Sequence, residues 1–330
     1  MKKASIVLAV AATLLSSAGA FAQWVPERPV EFIVASGAGG GTDNFARTIQ
    51  SIIAQHNLMD QSVVVQNKGA GSGAEAFIYA KANAGDPHKL IFGTNNVYLL
   101  PHVAKMAYTS DDLVPVAALA LDEFLIWVKA DAPYADAAAF IDAAKAKPGF
   151  FPFGGSQSKD TDETLVALIE QKTGAEFKYV PFNGGGEVGV QLAGGHIAAN
   201  VNNPNENLGQ WQAGAIKPLC VFSDQRMAKS EPIQGDMGWQ DIPTCAESGV
   251  DIATYQMPRT VWLPAGVSDE QLAFYVDVMQ KVSETPEWQE YVANTSQTGR
   301  FLAGADLASF IDSSEASAVE VFVAEGWTGQ

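Results

Sequence analysis

Apolar residues in this 330-residue chain fall into short runs, most of them followed by a segment in which apolar positions recur at helical spacing. The runs predict strands at 30–35, 62–66, 89–93, 125–128, 150–153, 177–180, 198–202 and 217–222. The spaced segments predict helices at 44–55, 74–82, 134–145, 162–172, 187–193 and 208–213. This alternation is that of an α/β protein with mainly parallel sheets. Two further helices, 269–284 and 306–325, close the chain, and Pro286 follows the first of them at a place where helices commonly stop. Ligands of such sheets gather at the carboxyl ends of strands, and here those ends are rich in glycine and polar residues.

The first residues stand outside this rhythm. Met1-Lys2-Lys3 is basic, 6–15 is apolar, and Ala20-Phe21-Ala22 offers small residues at the positions a signal peptidase reads. Cleavage after Ala22 is expected, because the apolar stretch is well short of the ~20 residues that span a bilayer. The product is then a soluble protein outside the cytoplasm, of about 308 residues, enough for two domains. A formal charge of −17 argues against nucleic acid and anionic lipid as partners. Cys220 and Cys245 have an oxidising compartment in which to pair. Cys220 nevertheless lies in an apolar strand, and a buried free thiol is the expectation there, with a disulfide as the alternative.

Enzyme motifs are missing. His56, His88, His102 and His196 are scattered, no serine sits in a G-x-S-x-G elbow, and there is no G-x-x-x-x-G-K-[ST] loop. Gly69-Ala70-Gly71-Ser72-Gly73-Ala74 satisfies G-x-G-x-x-A, but the following strand ends Phe92-Gly93-Thr94-Asn95 without the acid that would hold a ribose. Neither cofactor nor metal is expected.

The strand-to-helix loops carry the chemistry instead. Ser36-Gly37-Ala38-Gly39-Gly40-Gly41-Thr42-Asp43 joins a strand to a helix, so unpaired N–H groups and the positive end of a helix dipole meet at an anion site. Similar loops begin at Gly69, at Ser156 (running to Thr161) and at Phe182-Asn183-Gly184-Gly185-Gly186. Together they suggest a cleft lined with donors. Asn202-Asn203-Pro204-Asn205 either adds amides to that cleft or forms an Asn-Pro turn. Arg259, in an apolar stretch, suits a bidentate pair with a ligand carboxylate, the alternative being an internal Asp or Glu.

With these residues in view, the chain resembles the substrate-binding proteins of tripartite tricarboxylate transporters, also called Bug receptors. Arg28-Pro29-Val30 through Gly40-Gly41-Thr42-Asp43 with Ala46-Arg47 is similar to the family's P-G-G-x-T-D-x-x-A-R. Val64-Val65-Gln66-Asn67, Val180-Pro181-Phe182-Asn183-Gly184-Gly185 and Ile242-Pro243-Thr244 with Glu247-Ser248-Gly249 add to it. The resemblance implies a two-lobed periplasmic binding protein of type II-like architecture, with crossing strands between the lobes. After a signal peptide at 1–22, residues 23–124 would begin the first lobe, 125–245 form the second, and 246–330 return to the first.

It also implies that the first and third of these family-matching loops grip one ligand carboxylate. The ligand-binding set is then Ser36, Gly39, Gly40, Thr42, Asp43, Gly71, Thr94, Ser156, Thr161, Phe182, Asn183, Gly184, Gly185, Asn202, Asn203 and Arg259. Asp43 would orient its loop rather than meet an anion, since like charges repel. Lys159 and Asp160 depart from the small uncharged residues usual in their loop. Arg259 stands where many relatives are uncharged, which suggests a second anionic group and a di- or tricarboxylate, aromatic acids included. The function expected is capture of that solute for membrane permease subunits by a monomer without catalysis. The alternatives are an exported enzyme acting on a carboxylate and a receptor that feeds a signalling system.

Overall fold

A computed structural model describes residues 24–329 apart from Gln157 and Asn183. The expected signal sequence therefore lies outside the described residues. Strand β1 (Val30–Val34) leads into α1 (Gly41–Gln55), followed by β2 (Val63–Asn67), α2 (Ala74–Ala82), β3 (Lys89–Gly93), α3 (Asn96–Val103) and the long strand β4 (Leu113–Glu123). Only Phe124 separates β4 from β5 (Leu125–Lys129). The chain then continues through α4 (Ala137–Lys145), β6 (Pro152–Ser156), α5 (Thr161–Thr173), β7 (Lys178–Phe182), α6 (Gly185–Ala193), β8 (Ala199–Asn200), α7 (Pro204–Gln212) and β9 (Ile216–Val221). It returns along β10 (Gln256–Pro264) and ends in α8 (Asp269–Ser283), α9 (Pro286–Asn294), β11 (Thr298–Leu302) and α10 (Gly304–Ala324).

Two sheets result, ordered β11-β4-β10-β3-β1-β2 and β7-β6-β8-β5-β9. They are mixed rather than mainly parallel. Parallel triplets β2-β1-β3 and β7-β6-β8 are extended by antiparallel strands, because β4, β5 and β10 belong to segments that cross between the lobes. Each sheet is packed on both faces. Val30, Phe32 and Val34 face α1 and α8, whereas Ile33 faces α2, α3 and α10, the alternation a pleated strand imposes. On α1, Phe45, Ala46, Ile49, Ile52 and Ile53 form the buried stripe. Burying each of its larger side chains contributes about 1.5–3 kcal/mol.

The second sheet holds Phe153, Ile126 and Leu165 on one side and Trp127, Trp211 and Trp239 on the other. Helix α10 reaches both lobes, with Phe322 in the core of the first and Val321 in that of the second. Among the described residues no helix is long and apolar enough to cross a membrane.

Several expectations need correction. Strand β6 begins two residues late and includes Gly154, Gly155 and Ser156, which the sequence suggested as loop. Those glycines serve close packing: a Cβ on Gly155 would lie 2.5 Å from the Tyr179 hydroxyl and 2.7 Å from Asp162 Cβ. Pro286 does not simply end a helix but opens α9 at its first turn, where its missing N–H costs nothing. Cys220 is not a free thiol. The bridge between Val221 and Thr244 lays the two chain segments side by side, and Cys220 is disulfide-bonded to Cys245 with Cα atoms 4.8 Å apart.

Candidate functional site

The first glycine loop is held from behind. Asp43 is buried, and its carboxylate accepts hydrogen bonds from Gly39 N–H (2.8 Å), Asn67 Nδ2 (2.9 Å) and Arg47 Nε (2.9 and 3.0 Å). Burial alone would raise its pKa. The bonds from Arg47, Gly39 and Asn67 outweigh that and hold it below the usual carboxylate value. Asn67 also donates to Ser36 O at 3.1 Å. Asp43 and Asn67 thus shape the loop.

Gly39, at φ +80°, takes a left-handed conformation suited to glycine, and Gly40 caps α1 in extended geometry. The first N–H groups of α1, beginning at Gly41 and Thr42, have no intrahelical acceptor. The second glycine loop backs the first instead of lining a separate wall. A Cβ on Gly69 would come within 2.6 Å of the Ser36 carbonyl carbon, and one on Gly73 within 2.9 Å of Ala35 O. Gly71, at φ +62° in the same loop, has only Ala74 within 4 Å of a would-be Cβ and does not touch the first loop there.

Arg259 lies under the same loop. Its Nη1 donates to Thr42 Oγ1 at 3.0 Å, and its Nη2 is 2.5 Å from Asp122 Oδ2. Gly41 is needed above it, since a Cβ there would sit 2.8 Å from Nη2. Asp122 also accepts from Gln297 Nε2 at 2.5 Å. Arg259 is 9% exposed, so the guanidinium is largely buried, with its charge answered by an internal carboxylate. This is the internal pairing that the sequence left as the alternative to a ligand contact, and it makes Arg259 a support for Thr42.

Thr94 precedes α3, whose cap is Asn95. Thr161 Oγ1 lies 3.4 Å from Asn95 Oδ1, and Tyr255 Oη donates to Thr161 O at 2.7 Å, so the start of α5 touches both the first lobe and the return crossing. Ser156 donates its N–H to Asp162 at 2.7 Å and accepts from Tyr179 Oη at its carbonyl. Asp162 is buried. Burial pushes its pKa up to about 7 against the opposing Ser156 bond, with nearby Asp160 adding to the rise.

In the third family-matching loop, Phe182 ends β7, Gly184 caps α6 in extended geometry, and Gly185 starts the helix. Asn183 lies outside the described residues. Asn202 and Asn203 do not present free amides to a cleft, nor do they form a simple Asn-Pro turn. Asn202 is fully buried, and its Nδ2 donates to Gly185 O (2.6 Å) and Asn207 Oδ1 (3.0 Å). Asn203 caps α7 and donates through Nδ2 to Glu123 O at 2.7 Å. Both Nδ2 groups are spent on fixing the loops, while the buried Asn202 Oδ1 has no partner among the described residues.

Glu206 was not legible as a site residue. Its carboxylate accepts from Asn203 N–H at 3.1 Å and lies where a Cβ on Gly185 would overlap it. Burial raises its pKa to about 8. Asp162 and Asp122 add to that, while the Asn203 bond and the charge of Arg259 oppose it. The signature was present as Asn203-x-x-Glu206 with Pro204 at the first helical position, a capping box that opens a helix. Glu206 rests on Gly185 and also feels the charges of Arg259 and Asp122 beneath Thr42. These groups thus hold buried acids, Asp162 and Glu206, in the second lobe and unpaired helix N–H groups at the start of α1 in the first.

Comparison with known proteins identifies the family and the fold. Residues 45–322 match the family model described as tripartite tricarboxylate transporter family receptor. A protein of Cupriavidus necator from the gbd 5′ region is 26% identical over 315 residues, covering 93% of this chain and 91% of its own. The crystal structure of a TctC solute-binding protein from Polaromonas superposes with a TM-score of 0.78 at 26% identity, over 91% of this chain and 99% of that one. Rpa4515 of R. palustris, solved with adipate, gives 0.75 at 25% identity over 92% and 99%. The chain therefore belongs to the tripartite tricarboxylate transporter receptor family and is a solute-binding receptor of that family.

Proposed function

We propose that the protein is a periplasmic receptor that captures an organic di- or tricarboxylate, aromatic acids included, between its lobes and passes it to membrane permease subunits. The observation that carries this reading is the rigidly held α1 N-terminus, where Ser36, Gly39, Gly40 and Thr42 surround N–H groups that lack an intrahelical acceptor. The opposing jaw is the loop 182–185 with Ser156 and Thr161, and the lobes divide near 124 and 245. Adipate in Rpa4515 is a dicarboxylate held on a similar scaffold, which supports the ligand class. Closure would follow because a ligand touching both lobes favours the closed state by its differential affinity.

A thermal-shift screen of mono-, di- and tricarboxylates tests the reading. A true ligand at 100 times its Kd adds about 2.7 kcal/mol of stability and is recovered unchanged. Chemical conversion of the acid would point to an enzyme, and a screen without any response would remove the carboxylate assignment.

A further inference from the structure

A pocket of about 210 Å³ lies between α10, the start of α3 and the segment that enters β10, and none of the proposed carboxylate contacts lines it. Its polar wall includes Asn95, Tyr255, Ser313 and Ser317, with Leu99 and Phe310 as apolar sides. No Asp, Glu, Lys, Arg or His lines it, in a chain whose formal charge is −17. Asn95 is 3% exposed, yet its Nδ2 donates to no acceptor among the described residues. The Ser313 and Ser317 hydroxyls at the mouth likewise make no bond to the protein among the described residues. Tyr255 stays neutral, because burial pushes its phenol far above the usual value and its hydroxyl is already bonded to Thr161 O.

From this lining we propose a second ligand site, separate from the carboxylate cleft, for a compact uncharged molecule bearing hydroxyl or carboxamide groups. A carboxylate or an ammonium would lose its hydration there without meeting an opposite charge. A polyol or small amide can accept from Asn95, exchange hydrogen bonds with the serines and rest its carbons on Leu99 and Phe310. The site also borders the moving parts. Asn95 and Tyr255 both contact Thr161 at the start of α5, so an occupant acts on residues that join the two lobes.

The test uses the full protein without added carboxylate. Erythritol and butyramide are titrated while the Asn95 side-chain amide resonance, assigned with N95S, is followed by NMR, with succinate as the charged control. Saturable shifts with an uncharged probe are expected, weakened at least tenfold in S317F or S313F, which crowd the mouth from exposed helix positions. Both variants should keep the wild-type melting temperature and the carboxylate response of the cleft. The proposal fails if neither uncharged probe saturates, if both folded variants respond as the wild type does, or if succinate binds there equally well. Loss of the cleft's carboxylate response in both folded variants would also overturn it, by making the pocket part of the cleft.

Discussion

Removing the Cys220–Cys245 bond gives a stability change that can be worked out from the chain itself. The bond closes a loop with a sequence separation of 25. In the chain-entropy description, opening such a loop returns about 12 cal/mol/K to the unfolded ensemble, or about 3.5 kcal/mol at 25 °C. Both cysteines are fully buried, so replacement by alanine adds a packing loss that reduction alone does not. Reduced wild type and the C220A/C245A variant should therefore both be destabilised, the variant somewhat more.

Trp127, Trp211 and Trp239 cluster in the same lobe with ring centroids 4.8–6.1 Å apart, which makes tryptophan fluorescence in urea a local reporter. With a urea slope of about 1–3 kcal/mol/M, a loss of about 3.5 kcal/mol should lower the midpoint by about 1.2–3.5 M under reductant. Two titratable thiols in protein unfolded without reductant, or a midpoint indifferent to reduction, would refute the reasoning.

Other outcomes follow from the site. Gly69→Ala forces a Cβ against the Ser36 backbone and should cost about 1–3 kcal/mol by denaturation, with carboxylate affinity falling alongside; wild-type affinity would show that the second loop does not set the first. Arg259→Met leaves Asp122 buried without its partner and should destabilise by about 3–5 kcal/mol, with similar affinity losses for mono- and dicarboxylates. A loss confined to dicarboxylates would restore a direct ligand contact for Arg259. Glu206 has a folded pKa near 8 against an ordinary 4.5, so the folded state disfavours its charged form. Its penalty is absent below the unfolded pKa and grows as pH rises towards 8. Wild type should thus lose stability relative to E206Q across that window in pH-dependent melting curves, and parallel curves would remove the assignment.

Most helices and parallel strands were legible because their apolar spacing is local, although the short helices α3 and α9 were not expected. Strand β3 occupies the expected residues 89–93, and α2 the expected 74–82. Of the crossing strands, β5 was expected at 125–128, but β4 and β10 were not. Strand β4 reads as one apolar run interrupted by Pro115, and β10 carries Pro258 and Pro264, so neither alternates as a strand with one solvated face would. At the site, the role of Asp43 could be argued from the family resemblance together with like-charge repulsion. The partners of Arg259 and Asn202 could not, because Asp122 and Gly185 reach them only through the crossing of the chain and the meeting of neighbouring strands.

The crossing at Phe124 has a mechanical consequence. Phe222 N–H donates to Phe124 O at 2.9 Å and Tyr255 N–H to Phe222 O at 3.0 Å, while Glu123 pairs with Gln256 and Leu125 with Val221. The outgoing and returning segments are thus laced into one ribbon, not left as two free linkers. Such a ribbon bends and twists elastically along a narrow path, so any relative motion of the lobes would be confined to few orientations. Little orientational entropy is then left to lose when a solute draws the lobes together.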